Sequence, residues 1–173
     1  MYKIFPMFVA FLIMFVGLSC EKIANAAPKI SYQAHVANIG WMPLVANDEI
    51  AGTVGKSLQM EAVRIILTNE DKSAISYNAH LANIGWQGWK KSGEIAGTTG
   101  QYRRMEAIQI RLTEDFAKDY DIYYRAHVAG FGWLGWVKNG ETAGTVGQGR
   151  RMEAIQIKLT SKNSEDKPMP PSI

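Results

Sequence analysis

The sequence predicts an all-β domain with three-fold pseudosymmetry, on three observations. One unit of 39 residues occurs three times without a gap. Each unit carries the two-residue alternation of a half-buried strand. One unit is also too small to bury a core alone, so the three must pack together. The first choice of architecture is a prism-like solid of three four-stranded sheets, and the second is a β-trefoil.

The copies are Ile30–Thr68, Ile75–Thr113 and Ile122–Thr160, at periods of 45 and 47 residues. Copies two and three agree at 27 columns and all three at 18, which chance does not produce, so residues 30–160 form one domain. Within copy two, Ile75, Tyr77, Ala79 and Leu81 alternate with Ser76, Asn78 and His80, which reads as a strand. Ile108, Ile110 and Leu112 alternate with Gln109 and Arg111, a second strand. Met, Glu, Ala and Gln give Met105–Leu112 a helical alternative, which the β alternation to the copy's end opposes. Asn139-Gly140 is a hairpin turn pair, because both residues accept positive φ. One copy therefore reads as four short strands, twelve in all. The charged linkers Asn69–Ala74 and Glu114–Asp121 read as exposed loops. The proline-bearing tail, residues 161–173, reads as disordered.

The first 26 residues read as a secretory signal peptide. Lys3 supplies the charged start, Ile4–Cys20 the apolar run, and Ala24-Asn25-Ala26 the small-x-small cleavage pattern. Lipidation at Cys20 is the alternative, with a partial lipobox at Gly17–Cys20, and it gives the one expected route to a membrane. A retained anchor is a third reading, and all three export the body. Cys20 is the single cysteine, so the body holds no disulfide, thiolate nucleophile or Cys zinc site. The formal charge of +3 is too small a field for duplex DNA, and no nucleic-acid partner is expected.

Gly-Trp-x-x-Trp, then Asn-Gly-Glu-x-Ala-Gly-Thr-x-Gly, then Arg-Met-Glu-Ala-Ile-x-Ile run through copy three, and copy two follows them closely. This resembles the ChW repeat, the clostridial hydrophobic repeat with a conserved Trp. The resemblance covers Ile30–Thr160. It implies a secreted or cell-surface protein of a Gram-positive bacterium, with a role in adhesion or in binding polysaccharide or protein. It brings no catalytic residues. Copy one departs from the pattern, with Met42-Pro43-Leu44, Asn47-Asp48 and Leu58-Gln59 at columns the others fill with Gly-Trp, the turn and Arg-Arg.

Four sets of residues are candidates for chemistry. Trp41, Trp86 and Trp133 recur in every copy and read as core. Trp89 and Trp136 follow at an odd spacing, which on a regular strand places them on the opposite, outer face, where an indole stacks on a sugar ring. Leu44 takes their place in copy one, which equally allows a packing role. His35, His80 and His127 share the polar strand face and read as local hydrogen-bonding groups rather than a zinc site. Arg104 with Glu106, and Arg151 with Glu153, bracket a sugar hydroxyl or form a structural ion pair. Ala96–Gly100 lacks the Gly-Lys-Ser of a phosphate loop. Triplicate, equivalent carboxylates do not suit acid–base catalysis, which needs two unlike environments. They suit repeated weak sites that add by avidity. The expectation is a non-enzymatic, secreted glycan-binding module with no cofactor and no metal; a protein partner or a structural surface role is the alternative.

Overall fold

The computed structural model describes residues 26–168. The leader up to Asn25, with Cys20, and residues 169–173 of the tail lie outside the described residues. Each copy contributes five strands, two long and three short, rather than the four expected. Copy one forms β1 (Lys29–Val36), β2 (Gly40–Trp41), β3 (Val45–Ala46), β4 (Ile50–Gly52) and β5 (Met60–Thr68). Copy two forms β6 (Ile75–Leu81), β7 (Gly85–Trp86), β8 (Lys90–Lys91), β9 (Ile95–Gly97) and β10 (Met105–Leu112). Copy three forms β11 (Tyr120–Val128), β12 (Gly132–Trp133), β13 (Val137–Lys138), β14 (Thr142–Gly144) and β15 (Met152–Ser161). Met105–Leu112 is thus a strand, not a helix. The linkers each hold one 3-10 turn, Lys72–Ala74 and Phe116–Lys118.

The protein is nearly all β, in three sheets built from three repeats. In each sheet the two long strands of one copy pair antiparallel, and two short strands of that copy pair with the first long one. The fifth strand comes from another copy: β9 of copy two completes the copy-one sheet, β14 of copy three the copy-two sheet, and β4 of copy one the copy-three sheet. The exchange is cyclic, so the last sheet is closed by the first copy. Three separate sheets around a shared core are in keeping with a prism.

The expected alternation holds on β1 and β11, while β5, β10 and β15 each open with four buried residues. Ile30, Tyr32, Ala34 and Val36 of β1 face inward, while Ser31, Gln33 and His35 face outward. The inward residues of all copies merge into one core dominated by Tyr, Met, Ile and Val. Strands β5, β10 and β15 touch one another pairwise, so they carry the centre of that core.

The joints between copies explain most of the recurring columns. The Asn139-Gly140 pair does form a turn, with Asn139 at φ 45° and Gly140 at φ 97° and Glu141 N–H donating to Lys138 O at 3.0 Å. It is not a hairpin, because its arms part: β13 stays on the copy-three sheet and β14 crosses to the copy-two sheet. The crossing strand is pinned at both ends. Gly140 N–H donates to Ile110 O at 2.7 Å, and Thr145 N–H donates to Glu106 O at 2.9 Å. The same pairs recur as Gly93 with Ile65 and Thr98 with Glu61, and as Asp48 with Ile157 and Thr53 with Glu153.

The Ala-Gly-Thr column has a steric reason. Gly97 has φ +117°, and a Cβ there would lie 2.2 Å from Glu61 O and 2.5 Å from Ala62 Cα, both backbone atoms. Only glycine allows that approach. The Tyr column has a polar one. The buried Tyr77 hydroxyl reaches across to copy one, accepting from Ile65 N–H at 3.2 Å and donating to Glu94 O. Tyr124 does the same against Ile110 and Glu141, and Tyr32 against Ile157 and Glu49.

The first half of the tail differs from the disordered segment expected. Strand β15 continues to Ser161, and the chain then doubles back to Pro168. Lys158 is buried, and burying an ammonium requires acidic partners. Asp166 of the tail supplies one at 2.7 Å and Asp48 of copy one the other at 3.2 Å.

Candidate binding face

The outer face of each sheet carries the residues singled out for chemistry, in two neighbouring groups along the first long strand. The group nearest the His rests on a β-bulge. Pairing slips by one residue between His80 and Leu81, leaving Glu106 without a ladder partner, and the same slip occurs at Glu61 and Glu153. A bulge re-aims a side chain, and here it brings the carboxylate against the outward-facing His. Glu106 Oε2 lies 3.2 Å from His80 Nδ1, without in-line hydrogen-bond geometry. Arg104 takes the other oxygen, from Nε at 3.0 Å and Nη2 at 2.9 Å. Copy three repeats this with His127, Glu153 and Arg151. Copy one keeps His35 and Glu61, with Gln59 Nε2 at 3.3 Å in place of the guanidinium.

Glu106 is only 4% exposed, and Arg104 holds its Oε1. The Arg–Glu ion pairs do form, and they sit at the bulge. Among the described residues no three His, Cys, Asp or Glu side chains gather to hold a metal ion. Each His instead belongs to its own sheet.

The first Trp of each copy belongs to this group, and this corrects the expectation that it is core. Trp86 pairs with His80 in register, and directly opposed residues share a face, so its indole lies outside. It is 37% exposed and meets the imidazole edge-on, ring centres 5.2 Å apart. Trp41 and Trp133 meet His35 and His127 at 5.4 Å in the same way.

The second Trp also lies outside, so the opposite-face argument fails in its premise. Strand β7 ends at Trp86 and β8 begins at Lys90, and between them Gly88 takes φ +91°. Period-two alternation does not carry across that break. Trp89 immediately precedes β8, whose Lys90 and Lys91 pair with Tyr77 and Ser76, and it lines a groove with Ser76. Arg111 stacks on its indole with Cζ 3.8 Å from the ring centre, and Arg111 Nε donates to Ser76 Oγ at 3.1 Å. In copy three Arg125 lies over both Trp133 and Trp136, at 4.8 and 4.7 Å. Such contacts hold an exposed indole in place by about 0.5–2 kcal/mol. No recurring column announces Arg111 or Arg125, and reading copy by copy missed both.

Each second Trp lines a groove. In copy two the groove is about 540 Å³, bounded by Trp89, Ser76, Lys91 and Arg111. In copy three it is about 360 Å³, bounded by Trp136, Tyr123 and Lys138, with Lys167 and Pro168 of the tail along one side. Copy one places Leu44 and Ala46 at the columns of Trp89 and Lys91. The structure thus brings Trp89 together with Arg111 and Lys91, and keeps it apart from Arg104 and Glu106.

No curated protein and no solved structure matches the chain significantly. The family model described as clostridial hydrophobic W matches it three times, over residues 35–69, 80–114 and 127–161. Each match runs from the His through the last strand of one copy. Together they span more than half of the sequence, and the chain belongs to the ChW family.

Proposed function

We propose that this is an exported, non-catalytic binding module that recognises glycan through the grooves at Trp89 and Trp136, with copy one serving to close the ring. The observation that carries it is the second indole. It is exposed or half-exposed and lines a groove in the two copies that have it, while the core is complete without it. A guanidinium on one face holds each ring beside its groove, and the C–H face of a pyranose would stack on the opposite face. Export is read from the leader, where Lys3, the Ile4–Cys20 run and Ala24-Asn25-Ala26 precede the domain.

A glycan array with purified protein is the first test, followed by titration of Trp89→Ala, Trp136→Ala and Leu44→Ala against the strongest hit. Losing one stacking indole is expected to weaken binding by about 1–3 kcal/mol. The larger loss is expected for Trp89, since the tail already flanks Trp136. Leu44→Ala should leave affinity within about twofold. Thermal melts of all three should stay close to the parent. Normal melts with normal binding for both Trp variants would remove the indole mechanism.

A further inference from the structure

We infer that the copy-two groove selects a saccharide carrying an anionic group, a carboxylate or a phosphate; this rests on the glycan reading above. The column occupied by Arg111 decides it. Arg111 is exposed, is held by the Trp89 face and by Ser76 Oγ, and forms no ion pair among the described residues. Its Nε is used by Ser76, and both terminal nitrogens remain for a ligand beside the indole. A planar guanidinium fits two oxygens of a carboxylate or phosphate at once. Lys91 lines the same groove, so two cations face it against one acid, Glu114. A ring resting against Trp89 therefore has a fixed cation within reach of an acidic substituent.

The guanidinium over Trp136, Arg125, is half-buried, donates to Gln156 Oε1 at 2.8 Å and does not line the copy-three groove, and the Arg111 column differs in the other copies. In copy three the column is Lys158, which is buried and neutralised by Asp48 and Asp166. In copy one it is Ile66, beside Leu44 and Ala46. The chain thus has one copy in which an exposed indole and an uncommitted guanidinium share a groove.

The test is an array of paired saccharides, each neutral oligosaccharide printed beside its uronate and its phosphate-bearing counterpart, probed with the full chain and with Arg111→Gln and Arg111→Lys. The acidic member of a pair should bind about tenfold tighter or more than the neutral one, as charge-assisted hydrogen bonds do. The preference should shrink in high salt, fall to parity in Arg111→Gln, and survive in part in Arg111→Lys, which keeps the charge without the fork. The uronate and phosphate arms show which anion is read. Parity in the parent protein, or a preference that survives Arg111→Gln, overturns the anionic assignment and leaves the glycan reading standing. Absence of any saccharide hit overturns both.

Discussion

The joints between copies and the outer faces of the sheets obey different rules. At the joints the chain repeats itself atom for atom: Tyr hydroxyl to neighbouring backbone, Thr N–H to the bulge carbonyl, glycine against backbone. On the outer faces the His–Glu–Trp group recurs, but the guanidinium lying over the indoles comes from a different column each time, Arg64, Arg111 or Arg125. A joint must match a partner copy, so one substitution disturbs two copies. An outer-face residue meets water, and its neighbours adjust. The fold is fixed by the first set, and the second is free to differ from copy to copy.

The sharpest way to break this contrast is at a joint glycine. Gly97→Ala places a methyl 2.2 Å from Glu61 O at a φ of +117°. Backbone bounds that site, and the expected loss is about 3 kcal/mol or more in denaturant unfolding, or failure to fold. Next comes Tyr77→Phe, which keeps the packing but leaves Ile65 N–H and Glu94 O without their hydroxyl partner. It should cost about 1–3 kcal/mol. The same hydroxyls give the fold an alkaline limit. Burial, partly offset by the Ile65 hydrogen bond, pushes Tyr77 up to about 12 and likewise raises Tyr124 to about 12; burial also raises Tyr32. An unfolded phenol ionises near 10. The stabilisation is therefore complete below about pH 10 and is withdrawn as pH climbs through 12. Unfolding midpoints should be flat from neutrality to about pH 9 on account of these groups and fall steeply above 10, less so in Tyr77→Phe. The smallest effect belongs to Ile95→Thr. Ile95 is exposed on the exchanged strand, and copy three already carries Thr142 at that column. Its midpoint should move by no more than about 0.5 kcal/mol. A large shift there would erase the distinction between joint and face.

The repeats, their boundaries and both long strands were legible, because alternation between Tyr77 and Leu81 or between Ile108 and Leu112 is local information. The exchanged strand was not. Ile95–Gly97 could pair with its own copy or the next one, and the partner columns are the same residues in both. Nothing in the order of side chains separates the two pairings; closure of the whole ring does. The candidate site was half legible. Trp89 and Trp136 lie at grooves as their types suggest, but recurrence in every copy wrongly pointed to Trp86 as core, and the turn at Gly88 cancels the parity argument that linked the two indoles. Arg111 escaped notice because its role is specific to one copy, and a search for shared columns discards such residues.

The ring closure sets the order in which the molecule can be finished. Tyr32 bonds to Ile157, 125 positions away, and β4 has no sheet until β15 exists. Copies one and two can find each other early, yet the first copy keeps an unmatched strand until the last has arrived. Contacts that distant slow folding, because the chain gives up loop entropy before it gains the closing ladder. The number of copies is also a geometric quantity. Three exchanges return to the starting sheet, so a chain cut back to two copies leaves a sheet edge bare and a donor strand idle, available to a second molecule.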